Sequence, residues 1–147
     1  MSELSVSIKR LDSSVELPSY AYEGDAGLDL RANADVVIEP YQRVLIPTGL
    51  AIAIPDGYAG FVQPRSGMAL KQGLSIANTP GLIDAHYRGE LKVIAVNLDS
   101  EEAIHIERGE RIAQLVIQQV PVVHLVEVDE LDETDRGCGG FGSSGSK

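Results

Sequence analysis

Short hydrophobic runs separated by turn-forming residues occur along most of the chain. Leu4, Val6 and Ile8 alternate with polar residues, which is the pattern of a strand with one buried face. Further β-like runs lie at residues 36–38, 44–46, 50–54, 58–63, 91–98, 112–120 and 122–128. Gly, Pro, Asn or Asp residues punctuate nearly all of them. Short strands at this spacing predict an all-β sandwich or barrel, with a bend or an edge position at Val120-Pro121.

One segment departs from this pattern. Residues 66–72 (SGMALKQ) contain good helix formers and follow Pro64-Arg65. Ser66 is the expected N-cap and Gly73 the expected C-terminal stop. The sequence therefore predicts one short helix of one or two turns.

The composition changes after about residue 129. Residues 129–135 (DELDETD) are acidic, and residues 136–145 are rich in glycine. Such a segment cannot offset the entropy of ordering by itself. We therefore predict a core over residues 1–129 and a flexible tail over residues 130–147. A frayed terminus is the simplest explanation of this tail, but Arg136 and Phe141 among the glycines argue for a function.

Composition excludes several classes of protein. The chain has 147 residues, close to the commonest size of one domain, and a net charge of −10, which argues against a nucleic-acid-binding surface. A small polyanionic ligand remains compatible if arginines or a metal ion surround it locally. No apolar run is long enough for a membrane span, and the N-terminus lacks the features of a signal peptide. Cys138 is the single cysteine, which fits a reducing cytoplasmic setting.

Most standard catalytic sets are missing from the sequence. The histidines are scattered, so no zinc-ligand cluster is expected, and neither a nucleophile elbow nor a Gly-Lys-Ser/Thr phosphate loop occurs. What remains is a carboxylate that activates water, with arginines and backbone amides holding an anion.

Three places could supply such groups. Arg65-Ser66-Gly67 at a helix start is either a phosphate site or an ordinary helix beginning beside a surface arginine. Asp84 lies in a turn-rich segment, expected to be a hairpin, and is either an acid-base group or a turn residue. Asp29 is either functional or simply on the outward face of a strand.

Taken together, these segments resemble the trimeric deoxyuridine triphosphatase family, which is marked by five motifs in a fixed order. The resembling segments are residues 26–32 (AGLDLRA), 64–71 (PRSGMALK), 81–90 (GLIDAHYRGE) preceded by Asn78, 108–115 (RGERIAQL) and 136–145 (RGCGGFGSSG). They cover nearly the whole chain, and the ordered set is far more specific than any one motif. Met68 and His86 are minor departures from the pattern, and no catalytic role is expected for Cys138.

The resemblance implies an all-β, jelly-roll-like (β-clip) barrel subunit and a homotrimer. Each of three shared sites would combine motifs of two subunits and be closed by the tail of the third. The implied reaction is hydrolysis of dUTP to dUMP and pyrophosphate by attack of water at the α-phosphorus, with Mg²⁺. This reaction keeps uracil out of DNA and supplies dUMP for dTMP synthesis.

The resemblance also implies residue roles. Asp84 would be the general base, and Asp29 and Gln114 would reach the metal only through water, because Mg²⁺ is held mainly by the triphosphate. Asn78 would bind the uracil edge, and Tyr87 would pack under the deoxyribose and exclude a 2′-hydroxyl. The implied phosphate and lid contacts come from Arg65, Ser66, Gly67, Arg136, Phe141 (stacked on uracil), Gly142, Ser143 and Ser144.

Two alternatives remain open at this point. One is a dCTP deaminase, which shares the fold, and the other is a non-catalytic nucleotide-binding trimer. The glycine-rich tail and the Asp84 segment favour the triphosphatase over both.

Overall fold

A computed structural model describes residues 3–147 and contains eleven short strands and one helix in that range. In chain order they are β1 (Ser7–Arg10), β2 (Leu28–Arg31), β3 (Val36–Ile38), β4 (Arg43–Pro47), β5 (Leu50–Ala53), β6 (Tyr58–Gln63), α1 (Ser66–Gln72), β7 (Leu74–Ile76), β8 (Gly81–Ile83), β9 (Lys92–Asn97), β10 (Ile104–Ile106) and β11 (Arg111–Gln119). This confirms the prediction of an all-β fold with one short helix.

The strands pair into four antiparallel sheets. The largest has the order β2-β11-β6-β8, and a second has the order β4-β9-β7. The pairs β1-β5 and β10-β3 complete the framework. Sheet neighbours are mostly distant in the sequence, so residues from far-apart motifs are brought side by side.

One hydrophobic core joins these sheets. Leu30, Ile38 and Ile46 are 0% exposed, and they belong to one cluster of branched aliphatic side chains drawn from most of the strands. Burial of each such side chain contributes roughly 1.5–3 kcal/mol. In β8 and β10 the buried and exposed positions alternate, as expected for strands with one face on the core.

The helix bounds agree with the prediction, but its N-cap does not. Arg65, with extended backbone angles (φ −87°, ψ 132°), is the N-cap, and no side chain caps the helix. Ser66 is the first helical residue, so its hydroxyl is not used for capping. Gly73 ends the helix in the left-handed region (φ 73°), and its N–H donates to the carbonyl oxygens of Ala69 and Met68, as predicted.

The strand predictions at both ends of the chain need correction. The first strand spans Ser7–Arg10 and is exposed, so the prediction of a half-buried strand starting at Leu4 is wrong in its bounds and burial, and only Val6, just before the strand, packs against the core. The predicted strand at residues 122–128 does not form, because β11 ends at Gln119 and the following segment pairs with no strand of the described chain. Val122 and Leu125 are 97% and 88% exposed. A run of apolar residues does not form a strand without a partner for its backbone groups.

The predicted hairpin around Asp84 is also wrong. β8 pairs with β6 in the largest sheet, whereas β9 pairs with β4 and β7 in another sheet. Residues 84–91 therefore cross from one sheet to the other. No helix within residues 3–147 is long and apolar enough to cross a membrane.

Candidate active site

A buried carboxylate organises the first group of predicted site residues. Asp29 on β2 is 7% exposed and lies between two arginines, Arg65 Nε at 3.6 Å and Arg111 Nη1 at 3.3 Å. Arg65 Nη1 also donates to the Arg111 carbonyl oxygen at 3.2 Å. The alternative placement of Asp29 on an outward strand face is therefore wrong. Its charge is compensated, and it fixes the position of Arg65 immediately before α1.

A β-bulge brings Arg111 to this carboxylate. Gln114 on β11 lies opposite Asp29, and Arg111 lies opposite Arg31, but the register shifts between Arg111 and Ala113. In a regular strand, residues three apart point to opposite faces. Asp29 and Arg31 are two residues apart on β2, so they share one face of the sheet. Because Ile112 is an extra residue in β11, their partners Gln114 and Arg111 also share that face.

Next to these residues, the start of α1 borders a cavity of about 710 Å³. Arg65 and Gly67 line it, together with Arg31, Lys71, Arg108 and Arg111. Ser66 and Gly67 are exposed, and the first N–H groups of the helix have no side-chain cap. Ser66 is not among the lining residues, although its neighbours on both sides are. Guanidinium groups and free backbone amides at one edge of a cavity are donors that bind phosphate oxygens.

A second group surrounds a different cavity, of about 390 Å³. Asn78, Asp84 and Tyr87 line it, along with the β8 strand between them. The Asp84 carboxylate is exposed at the end of β8, and the Tyr87 N–H donates to the Asp84 carbonyl oxygen at 3.1 Å. A carboxylate beside an amide and an aromatic ring suits a site that binds a nucleoside next to a general base.

The Tyr87 ring is held by its neighbours. Its hydroxyl donates to the Glu90 carbonyl oxygen at 2.8 Å, and the Glu90 carboxylate accepts the Gly49 N–H at 3.0 Å. A side chain at Gly89 would collide with the Tyr87 ring and hydroxyl, so a larger residue there would displace the ring.

The tail forms the third group. Arg136 Nε donates to the Gly139 carbonyl oxygen at 2.8 Å, and Ser143 N–H donates to that of Gly140 at 3.1 Å. Phe141 is fully exposed with a φ of 50°. Residues 136–144, which include Gly142 and Ser144, therefore make only local hydrogen bonds among the described residues.

The three groups do not meet within a single subunit. The two cavities share no lining residue, and the tail contacts neither group through hydrogen bonds or ion pairs of the described residues. No group of three or more His, Cys, Asp or Glu residues in the range 3–147 is arranged to hold a metal ion.

Comparisons with known proteins identify the family of the chain. The family model described as dUTPase matches residues 13–145. The chain is 56% identical to a deoxyuridine 5′-triphosphate nucleotidohydrolase of Corynebacterium diphtheriae, over 95% of this chain and 92% of that protein. The chain belongs to the dUTPase family. A protein of the same name from Rhodococcus erythropolis is 56% identical over 84% of this chain and 77% of its own length.

Solved dUTPase structures resemble the fold closely. A point mutant of the Staphylococcus bacteriophage 80alpha dUTPase with dUpNHpp superposes with a TM-score of 0.90 and 32% identity, covering 97% of this chain and 99% of that chain. A mutant dUTPase from phage phi11 of S. aureus, described as showing the coordination of a structural Mg(II) ion, has a TM-score of 0.81 and 28% identity, covering 88% of this chain and all of that chain.

Two residues of this dUTPase-family site were missed by sequence reasoning. Arg111 was missed because strand alternation places it on the face opposite Gln114, and the bulge has no local sequence signal. Glu90 was missed because its partner, Gly49, lies 41 residues away in the chain. A carboxylate directly after Gly89 at the start of an apolar run was the only local hint.

Proposed function

We propose that this chain hydrolyses dUTP to dUMP and pyrophosphate. The observation that carries the proposal is the cavity that brings Asp84 together with Asn78 and Tyr87 in a chain of the dUTPase family. The dUpNHpp bound by the phage 80alpha relative is a ligand of the same class as the substrate.

In the proposed mechanism, Asp84 accepts a proton from a water molecule, and that water attacks the α-phosphorus. The bond between the α-phosphorus and the α/β-bridging oxygen breaks, and its electron pair leaves with pyrophosphate. Ser66 and the Gly67 amide donate hydrogen bonds to the bridging region, where this negative charge develops. Arg65, positioned by Asp29, and Arg136 neutralise the phosphates.

Selectivity follows from the nucleoside cavity. Asn78 forms hydrogen bonds with the edge of uracil. Cytosine is rejected because its different pattern of donors and acceptors would leave buried groups unpaired. Tyr87 packs under the deoxyribose and leaves no space for a 2′-hydroxyl. Since its hydroxyl is bonded to the Glu90 carbonyl oxygen, the ring is supported in that position.

The cofactor in this proposal is Mg²⁺ bound mainly by the triphosphate. Asp29 and Gln114 are register partners on adjacent strands, so they lie side by side and can hold water ligands of the ion. The ion supplies charge neutralisation of the phosphates.

A homotrimer completes the site in this proposal. Two subunits contribute one cavity each, and residues 130–147 of the third form a lid through Arg136, Phe141, Gly142, Ser143 and Ser144. The core in this proposal is residues 1–129, of which residues 1 and 2 lie outside the described residues. Support comes from the separation of the two cavities and from the segment 122–128, whose apolar side chains lack a partner within the described chain. The expected location of the enzyme is the cytoplasm.

The test is pyrophosphate release from dUTP, dTTP, dCTP and UTP, each with Mg²⁺ or with EDTA. Turnover is expected for dUTP with Mg²⁺ and for none of the others at a comparable rate.

Asp84→Asn should lower the rate by about 10²–10⁴. Glu101→Gln is the control, because this exposed carboxylate accepts no hydrogen bond within residues 3–147. An Asp84→Asn protein with the parent rate, or ammonia release from dCTP, overturns the proposal.

A further inference from the structure

Glu90 connects the nucleoside cavity to a rigid part of the framework. It lines the cavity with Asp84 and Tyr87, and it is half-buried. Its carboxylate accepts the N–H of Gly49 at 3.0 Å, across a separation of 41 residues. Gly49 lies in the turn between β4 and β5, which belong to different sheets.

That turn is fixed from several sides. Thr48 is fully buried, and its hydroxyl donates to the Leu91 carbonyl oxygen at 2.6 Å. The Leu11 N–H donates to the Gly49 carbonyl oxygen at 2.8 Å, and the Leu91 N–H donates to that of Leu50 at 2.8 Å. Gly49 itself has a φ of 71°, and any side chain there would collide with Val15 and Asn33. The turn is therefore held in place by its contacts, and it presents the Gly49 amide to Glu90.

The same residue supports Tyr87 through its backbone. The Tyr87 hydroxyl donates to the Glu90 carbonyl oxygen at 2.8 Å, so a shift of Glu90 moves the acceptor of that bond. Tyr87 is itself 46% exposed and borders an open cavity, so packing alone does not fix its ring. Two hydrogen bonds thus connect the turn to the ring. One joins the Gly49 N–H to the Glu90 carboxylate, and the other joins the Tyr87 hydroxyl to the Glu90 carbonyl oxygen.

We propose that Glu90 is a positioning residue that sets discrimination between deoxyribonucleotides and ribonucleotides through Tyr87. The proposal rests on the proposed function, in which the Tyr87 ring excludes the 2′-hydroxyl. Because the ring is anchored, the space between the ring and the bound sugar has a fixed size. Without the Gly49 contact, residues 87–90 change position, and the Tyr87 ring moves far enough to admit the larger ribose.

The test compares Glu90→Ala with Glu90→Gln, since Gln keeps an oxygen that can accept the Gly49 N–H. The measured quantity is the ratio of kcat/KM for dUTP to that for UTP. Glu90→Ala should lower this ratio on the order of tenfold, because small displacements of a positioning group have effects of this size or larger. Glu90→Gln should keep most of the parent ratio, and in Glu90→Ala the KM for dUTP should rise more than kcat falls.

Two further variants separate positioning from general destabilisation. Gln42→Ala removes a side-chain acceptor from the Glu39 N–H, a contact of the same 3.0 Å length in another turn, and should leave the ratio unchanged. Tyr87→Phe removes the hydroxyl bond and should lower the ratio, and the double variant Glu90→Ala/Tyr87→Phe should lose little more than the larger single effect.

The proposal is overturned if Glu90→Ala keeps the parent ratio, if Glu90→Gln loses as much as Glu90→Ala, or if the two effects multiply. Calorimetric binding of dUMP against UMP measures the same discrimination without turnover. A protein that prefers dUMP, and loses this preference with Glu90→Ala, supports the role of Glu90 even if the proposed hydrolysis fails.

Discussion

At the scale of single residues, the sequence indicates which side chains carry chemistry but not which ones hold them in place. Asp84, Asn78 and Tyr87 belong to motifs with a chemical meaning, and they line one cavity. Arg111 and Glu90 act through contacts that a bulge and a turn 41 residues away create. Such contacts depend on register and tertiary packing, which local patterns do not encode.

Asp99 offers a residue-scale prediction that concerns stability. Hydrogen bonds from the backbone N–H groups of Glu102 and Glu101 hold the pKa of the Asp99 carboxyl below its ordinary value of 3.8. A lowered folded-state pKa means that the ionised form stabilises the fold. This contribution is complete above pH 3.8 and disappears as the pH falls through the lower folded-state value.

We therefore expect Asp99→Asn to lower the free energy of unfolding at pH 7, and we expect its difference from the parent protein to shrink below pH 3.8. Denaturant unfolding at fixed protein concentration, repeated across this pH range, measures the difference. Glu101→Gln serves as the control, because the Glu101 side chain accepts no hydrogen bond within residues 3–147. A difference that grows as the pH falls contradicts the expectation.

At the scale of elements, prediction succeeds where the local signal and the tertiary environment agree. The helix bounds follow from its composition and from Gly73, and most central strands follow from their apolar runs and flanking turns. The segment 122–128 fails because an apolar run forms a strand only beside a partner strand, and the described residues of the single chain supply none. The Asp84 segment fails because turn residues signal a change of direction but not the sheet to which the next strand belongs.

Gly73 provides a prediction at this scale, since it combines a backbone and a packing requirement. Its φ of 73° is unfavourable for other residues, and an added Cβ would lie 3.0 Å from the Asp99 nitrogen. Gly24 has a similar φ of 89° but open space around it. We expect Gly73→Ala to cost about 2 kcal/mol of unfolding free energy and Gly24→Ala about 1 kcal/mol. Equal losses in denaturant unfolding contradict a packing requirement at Gly73.

At the scale of the whole molecule, one subunit contains every predicted site residue but does not bring them all together. The cavity beside Asp84 and the cavity beside α1 share no lining residue, and the described hydrogen bonds of the glycine-rich tail stay within residues 134–145. The fold class was predictable because it depends on patterns within one chain. The complete site was not predictable from residue patterns alone, since in the proposed trimer its parts meet only between chains.

Removal of residues 136–147 tests how the tail takes part in this assembly. The deleted residues make no hydrogen bond to the core, and the apolar segment 122–128 is retained, so trimers should persist in size-exclusion chromatography with light scattering. Turnover of dUTP should be nearly lost, because Arg136, Phe141 and the lid hydroxyls are gone while the general base remains.

Full-length Cys138→Ser is the matched control, since it alters the tail at an exposed position without a predicted role and should keep the parent rate. A truncated trimer with unchanged turnover means that the tail does not complete the site. Loss of the trimer itself means that residues 136–147 act in assembly, and the drop in rate then no longer reports a lid.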